Sequence, residues 1–366
     1  MKPNRNVCLL NASKSCEPSG FLIQRVVNFL KLNGYKVKSA PAGCGTVLVN
    51  SCCVTASKRL ESEAMLDVLL RGAKRVVLFG CLSAVPNKYD GLKNLVRIGP
   101  KQLGKFNDHF DWTVPIEAVE AGVLDPEIFV SYQRRLRPED HYVLISQGCV
   151  NRCSFCSIKS AKGAVESRPA PEILAEVRNA AARGCRDIVL LADDCGSYGL
   201  DRGTDLSELV KDISALDGGL RIKISTLYPG ALLRLFPKLK PAFAAGRISY
   251  VNVPLQSGSE RVLKLMDRRY VPEKVLALVK EIRRISPGTW TYTHLIVNFP
   301  TETRAEFMRS VKASLYFNER MFIGYSDNPG TRAALLLPKV DAEEGKQRLR
   351  IAKSVLGKGC PGIVVA

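Results

Sequence analysis

Histidine is scarce, with only three in a chain of 366 residues, so imidazole-based acid–base chemistry is not the theme of this protein. No apolar run approaches the roughly 18 residues that a membrane-spanning helix needs, so nothing is expected to cross a bilayer. Met1-Lys2-Pro3-Asn4-Arg5-Asn6 leads straight into a strand-like run, without the apolar segment of a secretory signal. That argues for the cytoplasm, where twelve cysteines point to metal ligation ahead of disulfides. No aromatic residue follows Tyr325, so the basic C-terminal stretch offers no platform on which bases stack. The net charge of +19 reads either as attraction to polyanions, nucleotides or phosphorylated substrates, or as solvated helix faces. Because the lysines and arginines are spread along the chain, charge alone leaves RNA binding open.

What the chain does have is one loop, Ser146-Gln147-Gly148-Cys149-Val150-Asn151-Arg152-Cys153-Ser154-Phe155-Cys156, after an apolar run at 142–145. Three thiolates spaced C-x3-C-x2-C on one short loop can hold three corners of a cubane cluster and leave the fourth iron open to an external ligand. A structural zinc loop would need a fourth ligand nearby, and this spacing is not a usual knuckle.

Around that loop the chain alternates strand and helix, which defines an α/β protein with parallel sheets. In residues 1–100, strands are predicted at 7–10, 47–49 and 75–79 and helices at 21–32 and 57–70. Such a doubly wound sheet carries its functional loops at the carboxyl ends of strands. Cys16, Cys52 and Cys81 all fall at such ends. Scattered cysteines are usually small core residues, but three at equivalent topological positions are harder to assign to packing. Cys53, beside Cys52, is not separable by spacing. Cys8, Cys44, Cys185, Cys195 and Cys360 are read as structural thiols. Residues 101–140 lack periodicity and read as a linker. Within 141–333, strands at 142–146, 187–192, 220–225, 249–253, 291–297 and 321–325 alternate with helices at 170–183, 205–215, 230–237, 272–286 and 303–316. Six such units suit a partial (β/α)6 TIM-like barrel with its site at the strands' carboxyl ends. Residues 334–366 read as a short helix and tail.

The cysteine loop closely resembles that of the radical S-adenosylmethionine (SAM) enzymes, and the chain as a whole resembles their methylthiotransferase family. Cys16 precedes Gly34-Tyr35 by 18 residues, the family spacing, while Asn50-Ser51-Cys52-Cys53-Val54-Thr55 and Gly80-Cys81 look like two further family motifs. In the second half the match runs through Gly163, Ser167-Arg168-Pro169, Ser197-Tyr198-Gly199 and Asp201. It continues with Pro254-Leu255-Gln256-Ser257-Gly258-Ser259, Leu263, Met266, Arg268, Phe299-Pro300 and Pro329-Gly330-Thr331. Coverage is about residues 7–333. The resemblance implies two 4Fe–4S clusters. One is held by Cys149, Cys153 and Cys156 and cleaves SAM to a 5′-deoxyadenosyl radical. The other is an auxiliary cluster on Cys16, Cys52 and Cys81 that carries the sulfur to be transferred. It also implies SAM contacts from Lys223, Ser225, Thr226 and Gln256, and an external electron donor of flavodoxin or ferredoxin type.

The chain departs from the family pattern at Lys159, Lys162, Asp193, Asp194, His294 and Asn298, which are therefore expected to shape what the cavity accepts. A loop or helix cap competes for Asp193 and Asp194, a satisfied core role for His294, and simple exposure for Lys159 and Lys162. Family members acting on tRNA or a ribosomal protein carry a C-terminal TRAM barrel, for which the 33 residues after Ala333 are too few. The expected function is therefore C–S bond formation at an unactivated carbon of a small molecule, such as a nucleoside or biosynthetic intermediate. Methylthiolation of a tRNA adenosine is the first alternative, with nucleic acid the less favoured partner. A non-catalytic iron–sulfur electron carrier or sensor is the second.

Overall fold

The computed structural model describes residues 5–12, 16–72, 75–128, 131, 133–216 and 219–356; Cys360 lies outside them. The chain divides into two units. Among the described residues no helix is long and apolar enough to cross a membrane.

Unit 1 comprises Met1–Ser131 and Ser157–Gly163. Its sheet contains β1 (Asn6–Asn11), β2 (Lys36–Lys38), β3 (Thr46–Ser51), β4 (Val76–Gly80) and β5 (Leu95–Ile98). All pairings are parallel, in the order β2-β1-β3-β4-β5. β4 is apolar along its length and buried throughout, as a central parallel strand covered on both faces must be. The helices are α1 (Glu17–Leu32), α2 (Ala56–Gly72) and α3 (Ile158–Lys162). The order reverses between β1 and β3, a switch point where loops from neighbouring strands diverge and leave a crevice.

Of the stretch 101–140 expected as a linker, residues 101–128 and 131 pack into unit 1. They carry little periodicity because 3-10 turns at Leu103–Asp108 and Ile116–Ala118 are held by side chains of α1 and its cap. Arg25 donates to the Ile116 and Glu117 carbonyls, and Asn33 donates to the Val114 carbonyl while accepting from the Thr113 and Val114 amides.

Unit 2 comprises Tyr132–Cys156 and Ala164–Ala366. Its strands are β6 (His141–Leu144), the short antiparallel pair β7 (Ser146–Gln147) and β8 (Glu166–Ser167), β9 (Asp187–Leu191), β10 (Arg221–Ile224), β11 (Ile248–Asn252), β12 (Trp290–Val297) and β13 (Glu319–Gly324). Six of them form a parallel sheet in sequential order, β6-β9-β10-β11-β12-β13. Its helices are α4 (Ala170–Ala182), α5 (Leu206–Ser214), α6 (Pro229–Ala244), α7 (Glu260–Leu265), α8 (Pro272–Ile285), α9 (Arg304–Ser314) and α10 (Ala342–Ser354). Local sequence sets several boundaries. Asp205 caps α5, and Thr303 with Glu306 forms a full capping box on α9. α6 runs on to Ala244 through Pro237 and Pro241, seven residues past the predicted end at 237. Each proline lacks the amide that would bond the carbonyl four residues back, so two ladder bonds, to Leu233 and to Pro237, are lost without ending the helix.

Candidate functional site

In unit 1, Cys16 stands immediately before α1 in the β1 exit loop, Cys52 follows β3, and Cys81 follows β4. Gly80 makes the last turn feasible. Its φ is +92°, and a Cβ there would lie 2.5 Å from the Ser51 carbonyl oxygen. The backbones are thereby brought close enough for the Cys81 amide to donate to Ser51 at 3.0 Å. Ser62 of α2 fixes the neighbouring loop from both sides, accepting from the Cys52 amide and donating to its carbonyl. Burial pushes the Cys16 thiol well above its ordinary range, the charges of Cys52 and Cys81 push it further, and Lys162 opposes them. The three thiols and one ammonium therefore share one electrostatic environment. Thiols that raise one another resist ionising until a cation supplies the balancing charge, as a coordinated iron does. Cys53 is buried in the apolar core with Cys8, Val49, Leu66 and Leu82, a core against which Cys81 also packs. Burial also drives the Cys8 thiol up to about 11.

Lys162 is buried at the end of α3. A substrate anion and simple exposure are both open to it in the sequence; it is buried, and its charge favours the ionised Cys16. Lys159, also on α3, is partly exposed.

In unit 2, Gly148, at φ +78°, delivers Cys149 from β7. The Cys149 sulfur receives the Asn151 amide at 3.4 Å and its Nδ2 at 3.2 Å, and lies 3.8 Å from Ser197 Oγ. Burial raises the Cys149 thiol and Asp194 raises it further, while the Asn151 donors oppose them. The loop is pinned along its length. Ser154 donates to the Met266 and Leu265 carbonyls and accepts from the Ala333 amide, and the Phe155 ring meets Phe299 edge-on.

Asp193 and Asp194, for which a substrate contact and a loop or cap role are both expected readings, are engaged in holding this loop. Asp193 accepts from the Gly148 amide at 2.9 Å. Asp194 is buried and accepts from Gly196 N, Ser197 Oγ, Asn151 Nδ2 and Tyr228 N, all within 3.0 Å. A carboxylate with four short donors is anchored, and it carries the Asn151 amide that serves Cys149. Lys223 also differs from its expected role. Its ammonium is gripped by both Asp140 oxygens at 2.8 Å and by the Arg135 carbonyl, and sits 3.8 Å from Asp187 at the amino end of β9. It faces the amino ends of the strands, opposite to where the fold places SAM.

The remaining expected contacts sit at the carboxyl ends. Ser225 and Thr226 follow β10, with the Ser225 carbonyl accepting from Asn252 Nδ2 and Thr226 Oγ1. Gln256 takes φ +63°, bridges β12 through the His294 carbonyl and the Ile296 amide, and buries an Oε1 that has no partner among the described residues. Asn252, at the end of β11, buries a second unpartnered acceptor, Oδ1. Sequence reasoning passed it over; its signal was a polar residue closing an otherwise buried strand. Two orphaned acceptors cost free energy unless a ligand brings donors. A SAM amino group or ribose hydroxyls fit that need, and the thiols of the Cys149 loop fit a cluster. His294 Nε2 lies 3.4 Å from Asn252 Nδ2, and burial with the Arg268 charge holds the imidazole down at about 4, hence neutral. Asn298 turns at φ +66° and donates to the Gly345 carbonyl of α10.

Among the described residues no three His, Cys, Asp or Glu side chains close tightly enough to ligate a single metal ion. A cubane spreads its thiolates over separate irons, so its ligands stand farther apart than those of one ion.

Six sequential parallel strands with a three-cysteine loop beyond the first define a radical SAM fold. The Radical SAM superfamily model matches residues 143–313. In the solved structures, the chain is similar to the radical SAM methyltransferase TsrM of Kitasatospora setae, with TM-score 0.59 and 18% identity over 91% of this chain and 77% of that one. The sequence is 30% identical to a probable threonylcarbamoyladenosine tRNA methylthiotransferase of Pyrococcus horikoshii, over 83% of this chain and 73% of the relative. It is also 30% identical to the ribosomal protein uS12 methylthiotransferase RimO of Thermotoga maritima, over 87% and 76%. The chain belongs to the methylthiotransferase family of radical SAM proteins. It is a transferase-type enzyme that uses a 4Fe–4S cluster and SAM and draws its electron from an external donor. By their names these relatives act on tRNA or a ribosomal protein, which lends no support to the expected small-molecule substrate.

Proposed function

We propose that the enzyme inserts sulfur at an unactivated C–H carbon of an adenosine in tRNA, using a second cluster held by Cys16, Cys52 and Cys81. The observation that carries the reading is that Cys16, Cys52 and Cys81 stand in the loops leaving three adjacent parallel strands, β1, β3 and β4, at the same end of the unit 1 sheet. The tRNA substrate is supported by the named relatives and by the charge of +19, which attracts phosphate chains.

When bound, the first cluster and SAM supply a 5′-deoxyadenosyl radical, and the second cluster supplies the sulfur. The chain's own residues do the holding. Cys149, Cys153 and Cys156 ligate the first cluster, and Asn151, positioned by Asp194, donates to the Cys149 sulfur. Asn252 and Gln256 accept hydrogen bonds from SAM beside Ser225 and Thr226. Lys162 offsets the charge of the Cys16, Cys52 and Cys81 thiolates.

The test is anaerobic reconstitution with SAM and a flavodoxin-type reductant. Bulk tRNA and free nucleosides are offered in parallel, and the products are read by mass spectrometry. A sulfur-bearing adenosine in digested tRNA is expected, with binding that weakens steeply as salt rises. Sulfur appearing only in free nucleosides would return the substrate to a small molecule. No 5′-deoxyadenosine and no sulfur product in either arm would leave a carrier or sensor.

A further inference from the structure

Leu335 and Leu337 are the most exposed large apolar side chains among the described residues, at 83% and 75%. They lie on the stretch that follows β13 and meets the Cys149 loop. A 3-10 turn at Arg332–Leu335 buries Ala333, and Leu336 packs against the core, so Leu335 and Leu337 are left in solvent. The turn is pinned. The Ala333 amide donates to the Ser154 carbonyl at 2.9 Å, and Arg332 Nη2 donates to the Arg152 carbonyl. Cys153 stands between those two acceptors. Residues three apart in a 3-10 turn share one side, which places Arg332 and Leu335 on a common face.

Cations are in excess around this stretch. Arg152 is exposed on the loop itself. Asp267 turns at φ +54° after α7 and offers one oxygen to each of two guanidiniums, Arg332 at 2.8 Å and Arg269 at 3.6 Å. The Arg269 amide donates to the Tyr228 hydroxyl at 3.2 Å, while its side chain is 92% exposed. Lys339 bonds Asp327 and the Ala334 carbonyl. Two carboxylates therefore answer four cations, and the guanidiniums at Asp267 are fixed before any partner arrives, which lowers the cost of binding one.

A single exposed leucine is ordinary. Two of them on a pinned turn, flanked by arginines, have the make-up of a protein-docking surface, apolar at its centre and charged at its rim. Nucleic acid gains less here, since aliphatic chains give bases no face to stack on. We propose that Leu335 and Leu337, with Arg152, Arg269 and Arg332, form the docking surface for the external electron donor, a small acidic protein of flavodoxin or ferredoxin type. A donor seated on this turn stands across one thickness of loop from Cys153. One electron then passes from the reduced donor to the oxidised cluster, with no bond made or broken. The inference rests on the family's need for a donor and is independent of the substrate and of the second cluster. Such redox encounters are small, and charge at their rim makes them salt-sensitive.

The test measures docking and electron delivery separately. Reconstituted wild type is compared with Arg269→Glu and with the double variant Leu335→Ser, Leu337→Ser; Arg332 is kept because it also holds the loop. An acidic flavodoxin is the probe. Its flavin fluorescence gives the affinity, and stopped-flow bleaching of the cluster gives the rate. Both variants should bind about tenfold more weakly and accept electrons about tenfold more slowly at limiting donor, while dithionite reduces all three proteins alike. Wild-type affinity in both variants overturns the proposal. So does a loss of tRNA affinity with donor binding unchanged, which would make this an RNA surface. Should a variant fail to hold iron, hydrogen exchange on the wild type decides. Oxidised flavodoxin should protect the amides of residues 332–337, and absence of that protection overturns the proposal.

Discussion

In unit 1 three thiols reach one environment from the ends of three separate strands, whereas in unit 2 three thiols share a single loop. The first arrangement is enforced by the sheet. The register of β1, β3 and β4 fixes where each strand ends, and Gly80 allows the last turn. The second is enforced by neighbours, since a short loop has no register of its own. Asp193, Asp194, Met266 and Ala333 hold it from outside through named hydrogen bonds. The electrostatics differ as well. Unit 1 answers its thiols with the ammonium of Lys162, and unit 2 with amide donors from Asn151. One triad should therefore be sensitive to backbone sterics, and the other to the polar groups around it.

The largest effect expected separates Cys52 from Cys53. Cys52→Ala should lower bound iron by about half, one cluster of two, while Cys53→Ala leaves the iron count unchanged and costs only packing. Iron and sulfide counts after identical reconstitution decide this. Equal iron loss in both variants would remove the distinction between ligand and core thiol.

Next in size is Asp194→Ala. It strips four donors, two of them in fully buried hydrogen bonds, of their acceptor and should cost about 3 kcal/mol by urea denaturation. Cluster loss should be confined to the Cys149 triad, seen as loss of the SAM-responsive EPR signal. Gly80→Ala is the matching probe of unit 1. A Cβ 2.5 Å from a carbonyl oxygen at φ +92° should cost about 2 kcal/mol and depress iron loading of the Cys16 triad alone. If each variant damaged both triads equally, the division between sheet-held and neighbour-held sites would not stand.

The two regions were also unequally legible in sequence. Both triads could be proposed from spacing, because ligands must sit at strand ends or on one loop whatever the rest of the chain does. The six strands of unit 2 were readable because parallel strands covered on both faces are nearly continuous apolar runs. Other features depended on contacts that no local pattern encodes. Residues 101–128 looked like a linker because their order comes from Arg25 and Asn33 side chains, not from their own periodicity. Lys162 follows the cluster loop in sequence yet packs into unit 1. Asp193 and Asp194 could be read as substrate carboxylates or as caps, since a strand-end acid looks the same in sequence whether it faces a ligand or caps a turn.

The smallest effects expected concern acidity within unit 2, where two buried groups pull in opposite directions. Burial raises Glu302 to about 7, although the Asn298 amide and Arg348 oppose it. Its contribution to stability is fully present below its ordinary value of 4.5 and is lost as pH rises through about 7. His294 is depressed to about 4 by burial and Arg268. Its contribution is present above its ordinary value of 6.5 and is lost as pH falls through about 4. Between pH 4.5 and 6.5 the two slopes oppose each other, each bounded by about 1.4 kcal/mol per pH unit for one proton. The wild-type urea midpoint should therefore vary little across that window. Glu302→Gln should leave a midpoint that climbs with pH, and His294→Gln one that declines. Parallel flat profiles in all three proteins would mean that neither group titrates differently on folding, and His294 would then have no claim to be held neutral at the end of the barrel where SAM is expected.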